Sequence, residues 1–228
     1  MQHVLITGAN RGIGLALTQR FLRAGDRVTA TCRHPDEAQD LRQLSERFEL
    51  TVVPLEVTDP TSVRELCGPL EDQTVDVLIN NAGVMGGDQQ SIDEMDYEMW
   101  LHAFDVNTLA PFRLITSLRK NLQRSENPRA ITLSSQMGSL NRKSKGSHAY
   151  RSSKAAVNKV MQVLAMELEV DGIVVCPVHP GWVRTDMGGP NADITTEACS
   201  EGLFKLIEAM TMTHSGRFWT WEGKEHPW

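Results

Sequence analysis

The sequence has few cysteines, few aromatic residues and no long apolar run. It contains four cysteines, Cys32, Cys67, Cys176 and Cys199, none of them in a CxxC pair. This excludes zinc-ribbon and thioredoxin-type sites and predicts free thiols in a reducing compartment. No apolar run approaches the roughly 20 residues of a membrane span, and no basic region followed by an apolar stretch opens the chain. We therefore expect a soluble, cytoplasmic protein without a bound metal ion.

An excess of positive charge is also missing. The chain has 23 Lys and Arg residues against 29 Asp and Glu residues, which gives a formal net charge of −6. A mildly acidic chain exerts no long-range attraction on nucleic acid or on an anionic membrane. The expected partners are therefore small molecules, and any anion among them must be held by a local site.

Short apolar runs alternate with longer amphipathic stretches along the chain. The apolar runs are rich in Val and Ile without period-two alternation, which is typical of strands covered on both faces of a parallel sheet. The predicted strands are His3–Thr7, Arg27–Thr31, Leu50–Pro54, Val75–Asn80, Ala130–Ser134 and Ile173–Val178. The predicted helices are Gly12–Ala24, Pro35–Phe48, Thr61–Leu70, Met95–Gln123 and Ala149–Val170. This order predicts a doubly wound α/β sheet with right-handed crossovers.

The segment after Gly188 differs in composition, because it is rich in loop residues and then briefly helical. It has no room for a second domain, and the chain contains neither an internal repeat nor a Gly/Ser linker. We expect a single domain over residues 1–228. Residues from about 186 to 213 are expected to form a substrate flap and helix, followed by a last strand near Arg217–Trp221.

Three glycines, Gly8, Gly12 and Gly14, separate the first predicted strand from the first predicted helix. Such a turn lets the backbone approach a pyrophosphate and lets the helix pack closely on the strand. The helix N-terminus then offers free N–H groups to the phosphates. The spacing is GxxxGxG rather than GxGxxG, and the alternative is an ordinary turn that tolerates glycine. The candidate dinucleotide site also includes Asn10, Arg11 and Ile13.

The end of the second predicted strand indicates which dinucleotide is bound. An NAD site would place Asp or Glu there to hold the ribose hydroxyls. This chain has Arg33 instead, with Arg11 in the glycine turn. Two guanidinium groups suit a 2′-phosphate, so the sequence favours NADP. The alternative is that Arg33 is a solvated charge at the strand end. Asp36 and Glu37 fit better as partners of the next helix dipole.

Tyr150 and Lys154 are four residues apart at the start of a long predicted helix, so their side chains share one face. A free tyrosine has a pKa of about 10 and is a poor acid–base catalyst at neutral pH. A neighbouring ammonium group favours the phenolate, and such a pair can exchange a proton with a carbonyl or alcohol oxygen. The alternative for an isolated YxxxK pattern is a surface tyrosine above a surface lysine.

Further polar motifs surround this pair in a recognisable order. They are Asn80-Asn81-Ala82-Gly83, Asn107, Ser134-Ser135, and Pro180-Gly181 with Thr185. Together with the glycine turn and Tyr150/Lys154 they resemble the short-chain dehydrogenase/reductase family across nearly the whole chain. The tail Gly216–Trp228 is similar to the sniffer and C-factor branch of its carbonyl-reductase-like members. The resemblance implies a Rossmann-type sheet and NADPH-dependent reduction of a carbonyl compound.

The resemblance also implies a role for each motif residue. Tyr150 is the proton donor in reduction, Lys154 lowers its pKa and binds the nicotinamide ribose, and Ser135 holds the substrate oxygen. Asn107 anchors a water that links Lys154 to solvent. The other implied cofactor contacts are Asn81, Ala82 and Gly83 along the adenosine and ribose, Asp59 near the adenine, and Val183 and Thr185 at the carboxamide with Pro180 and Gly181. Two alternatives stay open: Asn107 as a helix-interior asparagine bonded to backbone, and Ser134 in place of Ser135.

The expected substrate lining comes from residues 84–88, 136–140 and 186–195 together with Trp182. Its apolar members Met85, Met137, Trp182 and Met187 predict an open, shallow pocket for modest apolar aldehydes or ketones, with core filling as the alternative for the methionines. The basic loop Asn141–Ser147 makes the Ser135–Tyr150 segment slightly longer than is usual in the family. It is either a solvated loop or a contact for an acidic substrate.

Two other functions remain open from the sequence. One is a nucleotide-binding signalling or regulatory protein of C-factor type with little turnover, and the other is an NAD-dependent alcohol dehydrogenase. By analogy with the family, the helices predicted at Met95–Gln123 and Ala149–Val170 are expected to form the interface of a homodimer or homotetramer.

Overall fold

The computed structural model describes all 228 residues. Seven parallel strands form one sheet in the order β3-β2-β1-β4-β5-β6-β7. The strands are β1 His3–Thr7, β2 Arg27–Cys32, β3 Leu50–Pro54, β4 Val77–Asn80, β5 Arg129–Leu133, β6 Val174–His179 and β7 Trp219–Thr220. Every predicted strand is present within one or two residues of its predicted bounds, which confirms the doubly wound sheet. The winding reverses between β1 and β4, where such sheets bind ligands.

Eight α-helices cover the two faces of the sheet. They are α1 Gly12–Arg23, α2 Gln39–Ser45, α3 Pro60–Cys67, α4 Tyr97–Phe104, α5 Ala110–Ser117, α6 Arg119–Gln123, α7 His148–Glu167 and α8 Thr196–Ala209. On one face α1, α2 and α8 pack against the strands, and on the other α3, α5 and α7 do. None of the helices combines the length and the apolar character that crossing a membrane needs.

Strand β1 shows why the apolar runs lack alternation. Val4 and Ile6 point into the core layer beneath α1 and α8, whereas Leu5 points into the layer beneath α5 and α7, and all three are fully buried. Since both faces of the strand are covered by helices, every position is apolar. The sheet is thereby held as a rigid centre from whose strand ends the loops emerge.

The prediction of one continuous helix over Met95–Gln123 is wrong. It is divided into α4, a π-helical turn over Asp105–Leu109, α5 and α6. Pro111 explains the break, because it has no N–H to donate to the carbonyl of Asn107 four residues earlier. In the same way Pro35 and Pro69 lie in short 3₁₀ turns, so the predicted helices Pro35–Phe48 and Thr61–Leu70 shorten to α2 and α3.

The C-terminal part of the chain contributes more to the core than the sequence predicts. Helix α8 packs on α1, with Phe204 against Phe21 at a ring-centroid distance of 5.0 Å. Its residues Cys199 and Leu203 are fully buried. The segment expected to form a substrate flap and helix, residues 186–213, is a loop up to Thr195 followed by α8, and α8 packs into the core.

Candidate active site

A cavity of about 880 Å³ opens at the carboxyl edge of the sheet, a volume typical of small-molecule and cofactor sites. Loops that follow each of the strands β1 to β6 line it, together with the first two turns of α7. The predicted site residues on its wall are Gly8, Asn10, Arg11, Gly12, Ile13, Arg33, Asn81, Ala82, Gly83, Ser135, Tyr150, Lys154, Pro180, Gly181, Val183 and Thr185. Gly14, Asp59 and Asn107 do not line it.

The glycine turn is fixed to the loop that follows β4. Gly8 and Gly12 have φ of +61° and +55°, backbone conformations that favour glycine. The Asn81 side-chain amide donates to the carbonyls of Thr7 and Gly8 at 2.8 and 2.9 Å. Helix α1 then begins with neither a capping side chain nor an acidic residue in its first turn. Its N-terminus therefore presents free N–H groups and a partial positive charge to the cavity.

Gly14 has a packing role behind the cavity wall. A Cβ at this position would lie 2.4 Å from the Gly8 carbonyl oxygen and 2.5 Å from the Asn81 side-chain nitrogen. Any larger residue would push α1 away from the turn. Gly14 therefore has the role expected of the third glycine, which is to let the helix pack closely on the strand.

Arg33 and Arg11 line the same cavity, but only Arg11 is paired with an acidic side chain. Arg33 is exposed, lines the cavity beside His34 and makes no ion pair or side-chain hydrogen bond. Arg11 pairs with Asp186 of the flap at 2.7 Å, and both side chains are largely exposed. An exposed pair of this kind is worth about 0–1 kcal/mol, so an anionic ligand can displace the carboxylate.

The sequence predicts Asp59 near the adenine, but in the structure Asp59 does not line the cavity. Its carboxylate caps α3 by accepting the Thr61 N–H at 2.8 Å. Glu56 and Val57 line the cavity instead. The sequence Asp59-Pro60 is an N-cap residue followed by proline at the first helical position, a helix-start signal that could have corrected the assignment.

Tyr150 and Lys154 are buried side by side on the cavity-facing side of α7. The Lys154 Nζ lies 5.7 Å from the centroid of the Tyr150 ring and donates to the Leu133 carbonyl at 2.7 Å. Burial lowers the pKa of Lys154 to about 8. Burial also raises the pKa of Tyr150, and a hydrogen bond with the Ser135 side chain partly opposes that rise. The arrangement therefore holds a neutral phenol next to a cation at neutral pH.

The two serines after β5 have different environments. Ser134 is 2 % exposed, and its hydroxyl donates to Asn158 Oδ1 at 2.5 Å. Ser135 begins a short 3₁₀ turn, accepts the Met137 N–H at 3.1 Å and interacts with Tyr150. The structure thus brings Ser135 rather than Ser134 to the tyrosine.

Asn107 lies in the π-helical turn and is 1 % exposed. Its Oδ1 accepts the Val84 N–H, and its Nδ2 donates to the Val84 carbonyl and to Ser153 Oγ, each at 2.9 Å. A Cβ on Gly83 would lie 3.2 Å from Asn107 Oδ1 and 3.6 Å from Lys154 Nζ, so Asn107 is also close to the lysine. Its direct contacts match the backbone-bonded alternative, and they hold the loop of Asn81, Ala82 and Gly83 in place.

The flap of residues 186–195 is fastened at several points beside the predicted carboxamide contacts. Thr185 Oγ1 accepts the Gly188 N–H at 3.1 Å, and Trp182 Nε1 donates to the Gly188 carbonyl at 2.8 Å. A Cβ on Gly12 would meet the Thr185 methyl group at 3.1 Å, so the loop after β6 lies across the glycine turn. Met187, on the flap, lines the cavity.

Several residues on the cavity wall were not predicted as site residues from the sequence, namely Arg151, His179, Glu37, Glu56 and His102. Arg142 also lies on the wall, in the basic loop 141–147 for which a contact with an acidic substrate was one of the two alternatives. Arg151 directly follows the predicted catalytic tyrosine. A helical position one residue after Tyr150 is turned by about 100°, so sequence spacing alone did not place Arg151 at the site.

Comparison with known proteins agrees with this geometry. The family model described as short chain dehydrogenase matches residues 2–194. The chain belongs to the short chain dehydrogenase family. This confirms the resemblance seen in the motifs.

Individual relatives place this family member in the sniffer and C-factor branch. C-signal of Myxococcus xanthus is 39 % identical over 155 residues, which cover 68 % of this chain and 93 % of the relative. The NADPH-bound carbonyl reductase from chicken fatty liver has a TM-score of 0.93 at 34 % identity, covering 100 % of this chain and 99 % of that one. Carbonyl reductase Sniffer of D. melanogaster has a TM-score of 0.92 at 27 % identity over 100 % of both chains.

The positioning role of Asn107 is testable by comparison with Asn121, a buried asparagine far from the cavity. Asn121 Nδ2 donates to the carbonyls of Leu70 and Gln73 at 2.5 and 2.9 Å. We expect both Asn→Ala variants to lose about 1–3 kcal/mol of unfolding free energy, because buried backbone groups lose their partners. Urea denaturation measures this loss.

Hydrogen exchange then separates the two sites. Asn107→Ala should speed exchange at Asn81–Val84, and Asn121→Ala only near residues 70–73. Unchanged exchange at Asn81–Val84 in Asn107→Ala would contradict the positioning role.

Proposed function

We propose that this protein is an NADPH-dependent carbonyl reductase that acts on small, largely apolar aldehydes or ketones. The observation that carries the proposal is the buried pair of Tyr150 and Lys154 on the wall of the cavity that also contains the glycine turn and Arg33. Acid–base residues and dinucleotide-binding elements thus share one site.

The residues present fit NADPH at this site. The N-terminus of α1 and the turn at Gly8 and Gly12 suit the pyrophosphate. Arg33, which has no partner in the chain, suits the 2′-phosphate, and Arg11 can join it when released from Asp186. When bound, NADPH supplies the hydride. Carbonyl reductases that resemble this chain bind the same nucleotide, as the chicken enzyme does.

Tyr150 is the proton donor in the proposed reduction. The substrate oxygen accepts hydrogen bonds from the Tyr150 hydroxyl and from Ser135 Oγ, which stabilise the charge that develops on this oxygen. Because burial raises its pKa, Tyr150 is protonated at neutral pH and can give its proton to that oxygen. The Lys154 ammonium group then stabilises the tyrosinate that remains.

Lys154 has a second proposed task. Its Nζ donates one N–H to the Leu133 carbonyl, and the other two N–H groups are free to bind ribose hydroxyls. Since Leu133 ends β5, the lysine is positioned by the sheet rather than by a loop. One buried cation thereby links the position of the nucleotide to the acid strength of Tyr150.

The apolar part of the cavity supports the proposed substrate class. Met85, Met137, Trp182 and Met187 line it, and Trp182 and Met187 are about half exposed at 47 % and 48 %. A partly open wall of flexible methionines accommodates varied apolar groups. Loose selectivity among modest aldehydes and ketones follows.

A signalling or regulatory role is a second candidate, which the similarity to C-signal favours. A protein that only binds nucleotide has no need of the buried Tyr150/Lys154 pair with Ser135 beside it. An NAD-dependent alcohol dehydrogenase is the third candidate, and the unpaired Arg33 disfavours it. Turnover and nucleotide preference separate the three.

We further propose a homodimer or homotetramer in the cytoplasm. Large apolar side chains are exposed on α4, on the π-helical turn, on α5 and on α7, namely Tyr97, Leu101, Leu109, Phe112 and Met166. Association of these helices would bury that surface. All four cysteines are free thiols, which fits a reducing compartment.

Replacement of Tyr150 tests the catalytic assignment. Tyr150→Phe removes the proton donor and keeps the ring, so we expect kcat for NADPH-dependent reduction of a carbonyl panel to fall roughly 10²–10⁴-fold. Nucleotide binding, followed by NADPH fluorescence, should persist. Tyr97 is the other tyrosine and is 70 % exposed on α4, so Tyr97→Phe is the matched control. Equal turnover in wild type and Tyr150→Phe would overturn the assignment, and no turnover by wild type would favour the signalling role.

The pH profile tests the role of Lys154. Its pKa is lowered to about 8, so the ammonium group is present below this pH and is lost above it. Because the charged form stabilises the tyrosinate, kcat for reduction should decline as the pH rises through about 8. Stopped-flow measurement of the hydride-transfer step checks this over pH 6–10, a range that extends roughly two pH units to either side of the Lys154 pKa. A rate that stays flat across this range would contradict the role.

Replacement of Arg33 tests the nucleotide preference. Arg33→Ala removes a charge-assisted contact, so we expect the Kd for NADPH to rise about 10–100-fold while the Kd for NADH changes little. Arg47→Ala removes another exposed arginine that does not line the cavity, and it should change neither constant. Tighter binding of NADH than of NADPH by the wild type would refute the assignment of Arg33.

A further inference from the structure

We propose that Arg151 and Arg142 form an anion subsite in the substrate part of the cavity, and that the preferred substrates are aldehydes or ketones that also carry a carboxylate. The inference rests on the proposed reductase function and narrows its substrate class. It retains the apolar wall as the binding surface for the body of the substrate.

Arg151 is a cation without a partner. Its side chain lines the cavity and makes no ion pair and no hydrogen bond within the chain. Its Nε is buried and unsatisfied. A buried donor without a partner costs free energy, and an arginine retains its charge even when desolvated. The two terminal Nη atoms also make no hydrogen bond and are not buried, so they are available to a carboxylate, which they can bind through two parallel hydrogen bonds.

The start of α7 adds to the positive potential around Arg151. The helix has no acidic residue in its first turn and no side-chain cap from Ser147. The N–H groups of Ala149 and Tyr150 donate to the neutral Oε1 of Gln90, at 2.9 and 3.4 Å. A cation in the first turn lies at the positive end of the helix dipole, an unfavourable position that a bound anion would offset.

Arg142 supplies the second positive group. It lines the same cavity and bonds to the neutral side chain of Gln136. His179, also on the wall, has its pKa lowered to about 4 by burial, with smaller contributions from His226 and Arg142. His179 itself is neutral and adds no charge at physiological pH.

The loop that carries Arg142 is anchored by the C-terminal tail. Ser139 Oγ lies 2.9 Å from the backbone oxygens of both Pro227 and Trp228. The Asn141 N–H donates to the Trp228 oxygen at 3.3 Å. Since these bonds fix the residues that precede Arg142, the arginine is presented from a supported backbone.

No carboxylate of the cavity wall pairs with the two arginines. The acidic residues on the wall are Glu37 and Glu56 in the loops after β2 and β3, Asp186, which is bound to Arg11, and Asp193, which is exposed on the flap. The cavity wall therefore combines apolar side chains with two guanidinium groups that none of its carboxylates pairs with. A carbonyl compound with an apolar body and a carboxylate matches both features.

An acid and its methyl ester, which lacks the negative charge of the carboxylate, test the proposal. We would measure NADPH-dependent kcat/KM for para-carboxybenzaldehyde and for its methyl ester, methyl para-formylbenzoate. The wild type should prefer the acid about tenfold or more. The ratio of acid to ester kcat/KM should fall roughly 10–100-fold in Arg151→Met and less in Arg142→Gln, mainly through KM for the acid. Arg151→Lys, which keeps the charge but not the fork, should retain part of the preference.

Control variants come from the same loop. Lys143→Gln and Lys145→Gln remove exposed charges that do not line the cavity, and they should leave the ratio unchanged. An acid-to-ester ratio near one in the wild type, or equal losses for both substrates in Arg151→Met, would overturn the subsite. A similar fall in the lysine variants would also overturn it, because the preference would then be a long-range charge effect.

A binding measurement keeps the subsite separate from the proposed reductase function. Calorimetry of the protein–NADP⁺ complex with para-(hydroxymethyl)benzoate and with its methyl ester needs no turnover. Tighter binding of the acid, lost in Arg151→Met and kept in Lys143→Gln, would support the subsite even if no carbonyl is reduced. In that event the reductase function fails while the subsite stands. Equal binding of acid and ester would overturn the subsite whether or not carbonyls are reduced.

Discussion

The burial of the Lys154 ammonium group is the constraint around which the site is built. Helix α7 can carry this side chain into the interior only if the neighbouring loops approach closely. A Cβ on Gly138 would come within 2.6 Å of the Lys154 backbone, and one on Gly83, which lies beside Lys154 Nζ, would crowd Asn107 Oδ1 at 3.2 Å. Both positions are glycine. The loops after β4 and β5 can therefore close on α7, and the lysine contacts the Leu133 carbonyl at the end of β5.

This burial has an energetic consequence that the rest of the fold must offset. A fall in the Lys154 pKa from 10.5 to about 8 corresponds to a penalty of roughly 3 kcal/mol on the charged native state. The penalty is fully present below pH 8 and disappears as the pH rises through 10.5, where the unfolded chain also loses the proton. The free energy of unfolding of a native protein is about 5–15 kcal/mol, so this penalty is a large fraction of it. The burial of Lys154 in spite of this penalty is best explained by catalysis, since a buried cation next to a neutral tyrosine supports proton transfer.

The sequence was sufficient to predict the sheet, because strands covered on both faces are continuous apolar runs. It also predicted which loops meet, since the carboxyl ends of parallel strands share one edge. What it could not supply was the direction of individual side chains. Asp59 and Glu56 are three residues apart after β3, yet one caps α3 and the other lines the cavity. Likewise, the neighbours of Arg151 along the chain do not show that its side chain lacks a partner in three dimensions.

The cavity differs in charge from the molecule that contains it. The chain as a whole carries a net charge of −6, so long-range attraction does not draw anions toward the site. Positive groups are nevertheless placed at several points of one cavity, among them Arg33 after β2, Lys154 at its buried wall, Arg151 at the start of α7 and Arg142 in the loop before α7. Selection among anions must then come from short-range geometry, which decides how long a ligand stays rather than how fast it arrives. The guanidinium groups of Arg33, Arg142 and Arg151 suit this requirement, because their planar fork distinguishes phosphate and carboxylate from anions of other shapes.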